Sequence, residues 1–540
     1  MNYVRLLVAI AVCASLLPAC NKASVSTAGG RNPWTIPHVL RLGEPDEPDN
    51  LNPLFANNAA ADLAFGLIYS YPLRYDRDGN FIPDLLTVVP TLANGGIAKD
   101  NMTMTLHFRK DAKWADGVPL TADDWMFTYA AVNNPHNNVK TNYGWDQIAR
   151  VDEPDKYTVV IHLKRPTVTA YGILAAGGSG YPPLPKHLLG SLPDINTASF
   201  NSKPLASGPY VLTAWNHGSS LEFAPNPYYF RGKPKLSKIE WRVVPDVSTL
   251  FNQLQTHEID VYAAINESSI AQLKNVTGVT VDRRLVASWR RLQFNVSRPS
   301  LQDVRVRKAI AEAVDWKDIN DTVYHGLNAL ATSDVFPKSW AAPTIPRYAF
   351  DVEDAKRLLA SAGWTPGPNG ILQKDGAPLH LQVSTGTNKQ ENIKAEEVIQ
   401  QMLKAVGIDV EIKNYPVNIL FARDGPLYTG HYDMEWSVAT NGPDPDNSGN
   451  WNSRFIPPAG ANTAWLNDPI VDATSMAASQ TFDQAKRKAL YQKEETRIHE
   501  LVPAVFLYWE NQVTAYNTDV KNYEQASFIY DSWNSWEWDI

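Results

Sequence analysis

Few residues of this 540-residue chain stand at spacings that could support covalent or metal chemistry. The 2 cysteines, Cys13 and Cys20, both lie within the first 20 residues, which excludes a disulfide framework and argues against a cysteine-based zinc site. The 11 histidines are scattered, with no close pair at metal-ligand spacing. The sequence also lacks the Gly-x-x-x-x-Gly-Lys-Ser/Thr, His-Glu-x-x-His and Gly-x-Ser-x-Gly motifs. We therefore predict no catalytic residue, no metal and no cofactor.

Cys20 has surroundings that indicate a covalent modification. Arg5 precedes the apolar run Leu6–Leu17, which is too short for a transmembrane helix of about 20 residues and is typical of an export signal. The run ends in Leu17-Pro18-Ala19-Cys20, which resembles the lipobox of bacterial lipoproteins. In that family the cysteine is lipidated and becomes the first residue of the mature protein.

This resemblance implies an extracytoplasmic protein, in the periplasm or at the cell surface. We predict a signal peptide over residues 1–19, lipid attachment at Cys20 and a flexible Ser/Ala/Gly-rich tether over 20–33. The membrane would be contacted through the lipid alone. An ordinary secretory signal with a chance cysteine is the alternative.

The composition indicates a large globular protein that does not bind nucleic acid. Hydrophobic residues make up 44% of the chain and charged residues 20%, and the length predicts at least two structural domains. The 49 basic residues against 57 acidic ones give a net charge of −8, without the basic excess of a nucleic-acid binder. The 17 tryptophans fit either a stacking cleft or a large core.

Hydrophobic periodicity predicts the elements that would position a site. Alternating apolar residues over 102–108 and 157–163 predict two half-buried strands. Three segments carry apolar stripes at helical spacing beside a possible cap or a glycine stop: 303–313, 351–363 and 395–407. Residues 408–412 alternate again, as expected of a strand. Helix-then-strand units in a chain with antiparallel patterns favour mixed α/β domains.

Eight phrases, in order along nearly the whole mature chain, resemble the family 5 extracytoplasmic solute-binding proteins of peptide and nickel ABC importers (the oligopeptide- and dipeptide-binding type). They are Leu51-Asn52-Pro53-Leu54, residues 105–109, Lys113-Trp114-Ala115-Asp116-Gly117 continuing to Asp124, residues 183–189, Ser207-Gly208-Pro209-Tyr210, Phe294-Asn295, residues 303–310 and residues 355–364. Within the third phrase, we expect a positive φ at Gly117 and a helix N-cap at Thr121.

The resemblance implies an α/β, two-lobed periplasmic-binding-protein (Venus-flytrap) fold with mixed sheets and an extra inserted domain. The ligand would lie between the two lobes, which close around it. The expected division is lobe I over 34–55, 181–288 and 508–540, the inserted smaller domain over 56–180, and lobe II over 289–507.

In the family's peptide binders, a carboxylate in the loop after a Trp-bearing strand holds the ligand's α-amino group. The corresponding loop here is Trp436–Asn447, and no carboxylate stands at the expected position near Thr440. Thr440 and Asn441 could offer neutral hydrogen bonds, which are about half as strong as charge-assisted ones. Asp444 takes the role if the loop is shifted; otherwise Asp444 and Asp446 serve turn formation and helix capping.

Further candidates for the ligand-binding site are aromatic and amide side chains. Aromatic walls suit peptide side chains and sugar faces, although each such residue could equally belong to a core. The candidates are Trp289, Trp436, Trp451 and Tyr508 as cleft walls, Asn57 as a contact from the first lobe, and Asn295 where the chain crosses between the lobes.

The predicted function is a lipid-anchored monomer that captures a peptide or an oligosaccharide-like solute and delivers it to an ABC permease and ATPase complex. One alternative is a secreted glycan hydrolase, whose tryptophans would form sugar subsites beside two acids about 5–10 Å apart. The other is a receptor that binds a peptide signal without transport.

Overall fold

The structure is a computed structural model that describes residues 30–176, 180–263, 265, 267–273, 275–387, 389–528 and 530–540. The strands are β1 Val39–Glu44, β2 Leu73–Tyr75, β3 Phe81–Pro83, β4 Thr103–His107, β5 Ile148–Asp155, β6 Thr158–Leu163, β7 Tyr210–Asn216, β8 Ser220–Pro225, β9 Lys238–Val243, β10 Val261–Tyr262, β11 Val279–Phe294, β12 Ala329–Leu330, β13 Thr365–Pro366, β14 Leu372–Lys374, β15 Ala377–Pro378, β16 His380–Ser384, β17 Asp409–Ile412, β18 Met434–Thr440 and β19 Ala504–Asn517.

Helices lie between these strands. They are α1 Ala59–Ile68, α2 Ala122–Asn133, α3 Lys186–Leu189, α4 Val247–Gln255, α5 Glu267–Leu273, α6 Val304–Ala313, α7 Trp316–Thr322, α8 Val352–Ser361, α9 Gln390–Ala405, α10 Val417–Leu420, α11 Pro426–Thr429, α12 Ser448–Trp451, α13 Pro469–Gln480 and α14 Gln484–Leu501. Among the described residues, none of the helices is both long enough and apolar enough to cross a membrane.

Most of the strands join one mixed sheet in the order β17-β16-β18-β11-β19-β10-β1-β9-β8-β7, with β12 pairing to β19 in addition. Strand β1 runs parallel to β9 and β10, and β16 runs parallel to β17 and β18. Strand β11 is antiparallel to both β18 and β19. Parallel neighbours require crossover connections, and helices such as α4 and α9 supply them.

The sheet is continuous from one half of the molecule to the other because β11 and β19 are long. They have 16 and 14 residues, respectively. The C-terminal part of β19 pairs with β10, and its N-terminal part pairs with β12. The register between β11 and β19 shifts between Leu285 and Trp289, and again between Arg290 and Arg291. Such irregularities bend a strand and increase its local twist.

Apolar side chains form distinct cores on the two halves. The largest core draws on segments 40–261 and 520–540. A second core draws on segment 292–508, and a smaller third one surrounds Trp289, Trp451 and Trp509. Each fully buried aromatic ring removes about 150–250 Å² of surface from water, so most of the tryptophan excess stabilises these cores.

The helices and strands predicted from periodicity are confirmed. Asp303 caps α6 and Asp351 caps α8, each through a carboxylate oxygen that accepts a backbone N–H of the first turn. Segment 395–407 corresponds to α9, after which Gly407 has a φ of +85° and β17 begins. The strand predictions over 102–108 and 157–163 correspond to β4 and β6, which pair with each other.

The turn and cap predicted in the third phrase are also confirmed. Gly117 has a φ of +90°. Thr121 is the N-cap of α2, and its backbone N–H donates to the Asp124 carboxylate at 3.0 Å.

Candidate functional site

Residues 440–451, which begin at the last residue of β18, form the candidate site and are called the site loop. Its start is fixed by β11, because Thr440 lies opposite Ser288 with 3.0 Å between the two hydroxyl oxygens. The backbone N–H of Asn441 donates to Ala287 O at 3.0 Å. The Asn441 side chain accepts a hydrogen bond from the Trp289 indole at 3.0 Å and donates to the carbonyl of Asp334. Asn441 therefore connects the site loop to both strand β11 and the segment after β12.

Asp444 forms a two-pronged ion pair with Arg487 of α14. The two guanidinium nitrogens donate to its carboxylate oxygens at 2.8 and 2.9 Å. Burial alone would lower the pKa of the Arg487 guanidinium, but the charge of Asp444 and its hydrogen bonds outweigh burial and raise the pKa. Arg487 also donates to the Tyr491 hydroxyl at 2.8 Å and to Ala478 O at 3.0 Å. The negative charge of Asp444 is therefore already balanced within the protein.

The aromatic candidates are fully buried, each with 0% of its surface exposed. Trp436 stacks on Trp316 with 6.3 Å between the ring centroids, and the Tyr508 hydroxyl donates to the carbonyl of Trp316. Trp289 and Trp451 pack on one ring, that of Phe506. In this structure the four side chains line cores, and Trp289 and Trp451 also support the site loop through their indole nitrogens.

The two candidate asparagines, Asn57 and Asn295, make local contacts. Asn57 is exposed, and its side chain donates to Phe55 O at 2.7 Å. Asn295 is buried directly after β11 and donates to Gly430 O at 3.1 Å and Tyr432 O at 3.2 Å. Its carbonyl oxygen accepts from the Ser297 hydroxyl at 2.6 Å, so Asn295 organises the turn that leaves the long strand.

A cavity of about 250 Å³ lies beside the site loop, between the segment 143–167 and the segment 446–480. Charged groups of both signs line it from both sides. Asp146 and Arg165 belong to the first segment, and Asp446 and Arg454 belong to the second. Burial, and then the charge of Asp444, raise the pKa of the Asp446 carboxyl. The cavity can therefore accept a ligand that carries both a positive and a negative group.

Other contacts also join early and late segments of the chain. The rings of Tyr171 and Phe482 are 5.9 Å apart. Arg284 of β11 forms an ion pair of 2.7 Å with Asp78 in the turn between β2 and β3. A solute in the cavity would touch both of the segments that line it.

Beneath the site loop lies a group of buried acids that sequence reasoning missed. Asp334, Glu494 and Glu495 are each at most 1% exposed, and Asn447 and Trp451 of the site loop donate hydrogen bonds to this group. The adjacent glutamates of α14 gave no sequence signal, because charged residues of a helix usually face solvent. Arg487 was missed for the same reason.

Cys20, the signal peptide and most of the tether lie outside the described residues. Within the described part of the chain, no group of three or more His, Cys, Asp or Glu side chains could hold a metal ion.

Comparisons with known proteins agree on one class of protein, the solute-binding proteins. A family model for bacterial extracellular solute-binding proteins, family 5, matches residues 87–455. The oligopeptide-binding protein AppA of Bacillus subtilis is 27% identical over 529 residues, which cover 95% of this chain and 94% of AppA.

Solved structures resemble the whole fold. NikZ from Campylobacter jejuni in complex with Ni(L-His) has a TM-score of 0.76 and 26% identity, covering 94% of this chain and 100% of NikZ. The structure of B. subtilis AppA in complex with a nonapeptide has a TM-score of 0.73 and 24% identity, covering 93% of this chain and 98% of AppA. These likenesses confirm the predicted fold class, the two-lobed α/β fold of periplasmic binding proteins with mixed sheets.

Proposed function

We propose a function on the premise that this chain belongs to the bacterial extracellular solute-binding proteins of family 5. Proteins of this family are binding proteins and not enzymes, which removes the glycan hydrolase alternative. Our proposal is that the chain captures a short peptide between its two lobes. AppA of B. subtilis, similar over 95% of this chain, is an oligopeptide-binding protein, and this supports a peptide as the solute.

The cavity between segments 143–167 and 446–480 is the observation that carries this proposal. Segment 143–167 lies in the proposed inserted domain, whose apolar side chains share one core with those of lobe I, so these two form one wall of the site and lobe II forms the other. Its volume of about 250 Å³ is near the lower end of ligand sites, which typically measure about 300–1,000 Å³. It therefore suits a peptide of few residues, and a longer one requires wider separation of the walls. The pair Asp146 and Asp446 suits the peptide's ammonium, and the pair Arg165 and Arg454 suits its carboxylate, because opposite charges attract strongly in a partly desolvated site.

The polar side chains at the start of the site loop already have partners within the protein. Thr440 is exposed at the end of β18, and its hydroxyl is hydrogen-bonded to that of Ser288. Asp444 is paired with Arg487, so it offers a ligand a neutralised carboxylate rather than a free anion. The ammonium of a peptide is therefore assigned to Asp146 and Asp446, and Asp444 is assigned the role of holding the site loop.

Isothermal titration with peptides of two to nine residues tests the proposal. We expect micromolar or tighter binding, which corresponds to about −8 kcal/mol or more. Arg165→Ala is expected to weaken peptides with a free carboxyl end at least tenfold and to leave C-terminally amidated peptides unchanged. Arg150→Ala is the matched control. Arg150 is an exposed arginine of the same segment that forms an ion pair with Asp152 and does not line the cavity. Binding of oligosaccharides and of no peptide would refute the peptide assignment.

We also propose a domain division, a cellular location and partners for the protein. We place lobe I in 34–55, 181–288 and 508–540, the inserted domain in 56–180 and lobe II in 289–507. We further propose that the protein is a monomer held to the membrane by lipid on Cys20 and that the closed, loaded form is delivered to an ABC permease and its ATPase. Closure would follow from ligand contacts with both walls, since a ligand favours the state to which it binds more tightly.

The lipid anchor and the delivery to a permease are tested by separate measurements. Mass spectrometry of the membrane-extracted N-terminus tests the lipid, and stimulation of permease ATPase activity by the loaded protein tests delivery. High-affinity peptide binding without any such stimulation would favour the receptor alternative.

A further inference from the structure

Asp334 holds the site loop through three separate acceptor positions. Its backbone carbonyl accepts from the Asn441 side chain. One carboxylate oxygen accepts from the Asn447 amide at 3.1 Å, and the other accepts from the Trp451 indole at 2.8 Å. Asp334 is 0% exposed, so no water replaces these contacts when they are lost. The three contacts span the loop from its second residue to its last.

Glu495 lies against Asp334 and shares a donor with it. The Asn447 amide nitrogen, which carries two hydrogens, donates to Glu495 at 2.6 Å as well as to Asp334. The second oxygen of Glu495 is buried and has no hydrogen-bond partner, and the shared Asn447 nitrogen lies within 2.6 and 3.1 Å of one oxygen of each carboxyl group. Two buried carboxyl groups this close to each other disfavour each other's charge, so one of them carries a proton.

The donors around the pair decide which carboxyl group carries the proton. Both oxygens of Asp334 already accept hydrogen bonds from Trp451 and Asn447, which favours its ionised form. Glu495 accepts one hydrogen bond and has an oxygen left to donate from. Burial, and then the charges of Asp334 and Glu494, raise the pKa of Glu495 well above its usual value. The proton therefore belongs to Glu495.

Other charged and titratable groups face this pair from each neighbouring element. Burial, and then the charges of Asp334 and Asp446, raise the pKa of Glu494, and neither oxygen of Glu494 has a hydrogen-bond partner. From β11, Arg291 acts on Asp334 and is itself paired with Glu435 at 3.4 Å. The remaining groups nearby are Asp446 in the site loop and Tyr491 and Arg487 of α14. The acids outnumber the cations, so loss of a proton leaves uncompensated negative charge under the loop.

We propose that Asp334 is the positioning residue of the site loop and that the proton on Glu495 keeps it in place, so that solute binding requires this proton. The part concerning solute rests on the proposed function. At low pH the loop is held in its binding position. As the pH rises through the elevated pKa of Glu495, two adjacent carboxylates repel each other, the Asn447 bridge breaks, and affinity falls.

The substitutions Glu495→Gln and Asp334→Asn test whether the loop is held by the proton on Glu495 and the carboxylate of Asp334, or only by the packing of these side chains. In Glu495→Gln, the new amide oxygen accepts from Asn447, and the new NH₂ group is a neutral donor in the place of the protonated oxygen. In Asp334→Asn, an NH₂ group faces the indole N–H of Trp451 or the amide of Asn447, so one donor loses its partner. Glu396→Gln is the control, since Glu396 is a buried glutamate bonded to Asn414 and not to the site loop.

The probe is the peptide of the two-to-nine-residue series that binds the wild type most tightly, titrated from pH 6 to pH 10. Relative to Glu495→Gln, the wild type is expected to lose affinity at least tenfold over this range, and Glu396→Gln is expected to follow the wild type. At pH 6, Glu495→Gln should bind within threefold of the wild type and Asp334→Asn at least tenfold more weakly. Parallel pH profiles for wild type and Glu495→Gln, or unchanged binding in Asp334→Asn, would overturn the proposal.

Hydrogen exchange tests, independently of solute binding, whether the proton on Glu495 and the carboxylate of Asp334 hold the site loop. If the wild type binds no peptide, the proposed function fails, yet amides 440–451 can still be compared among variants at equal pH. Two results support the proposal. At pH 6 these amides exchange faster in Asp334→Asn than in the wild type, and at pH 9 they exchange faster in the wild type than in Glu495→Gln. Equal protection in all three proteins refutes it.

Discussion

Asp444→Asn tests whether Asp444 holds a ligand's amine or the site loop. The substitution removes the negative charge that Arg487 neutralises and keeps nearly the same shape. An asparagine oxygen can accept one of the two guanidinium hydrogen bonds at 2.8 and 2.9 Å, but its NH₂ group faces the other donor. Because the carboxylate is already occupied by Arg487, the structure predicts a loss of loop order rather than a loss of amine recognition.

The expected magnitude follows from the burial of the two partners. Removing one partner of a fully buried pair costs about 3–5 kcal/mol, because the other charge remains buried and unpaired. The side chain of Arg487 is 7% exposed, whereas that of Asp444 is 37% exposed and partly screened by water. We therefore expect the free energy of unfolding to fall by about 1–3 kcal/mol. If all of this loss is felt on binding, affinity falls by about 5- to 150-fold.

The assay compares peptides with a free amino end and their N-acetylated forms in parallel titrations. Both forms should lose affinity by the same factor, so that their ratio changes by no more than about threefold. Asp424→Asn is the control, because it removes one exposed carboxylate and leaves the Arg487 pair intact. Selective weakening of the free-amine peptides, with the N-acetylated forms unaffected and unfolding unchanged, would show that Asp444 binds the amine and that the reasoning is wrong.

Two further predictions concern stability. Burial of Glu396 raises its pKa from 4.5 to about 8, so the folded wild type loses stability as the pH rises from about 4.5 through 8 and the buried carboxyl must ionise. Glu396→Gln has no carboxyl to ionise and should therefore gain stability over the wild type by up to roughly 5 kcal/mol between pH 5 and pH 9. Urea-unfolding midpoints that change in parallel in the two proteins would contradict this. In Gly208→Ala, the new methyl group would lie 2.7 Å from the backbone of Ile68, so thermal unfolding should shift downward by several degrees, whereas Gly172→Ala, with open space around it, should not shift.

The elements could be predicted from sequence wherever a local pattern determines them. Helices α6 and α8 begin one residue after their aspartate caps because a carboxylate that accepts first-turn N–H groups is a local device. The joining of both halves in a single sheet could not be predicted in this way. It depends on β11 pairing with β19 at a separation of over 200 residues, and such pairing leaves no periodic signal in either strand.

For the candidate site, the sequence indicates a segment of the chain but not the contacts that its side chains make. The sequence located the loop after β18 and the absence of a carboxylate at Thr440. It could not show that Asp444 meets Arg487, since this pairing depends on how α14 packs on the loop. The aromatic residues illustrate the same limit. Burial of Trp436 and Trp451 in cores is a tertiary property, and a tryptophan in a cleft wall has the same sequence signature.

The site loop and the bend of the long strands are coupled by the same few contacts. Strands β11 and β19 run through both halves and their pairing is interrupted between Leu285 and Trp289, so a movement of the halves relative to each other would bend the strands there. Ala287 and Ser288 lie in that interruption, and they hold Asn441 and Thr440 at the start of the site loop. Any change of bend there moves the loop that forms one wall of the cavity. A solute bound at that wall as proposed would act on this interruption, and Asp334, which anchors the same loop from below, would determine how rigidly that force is transmitted.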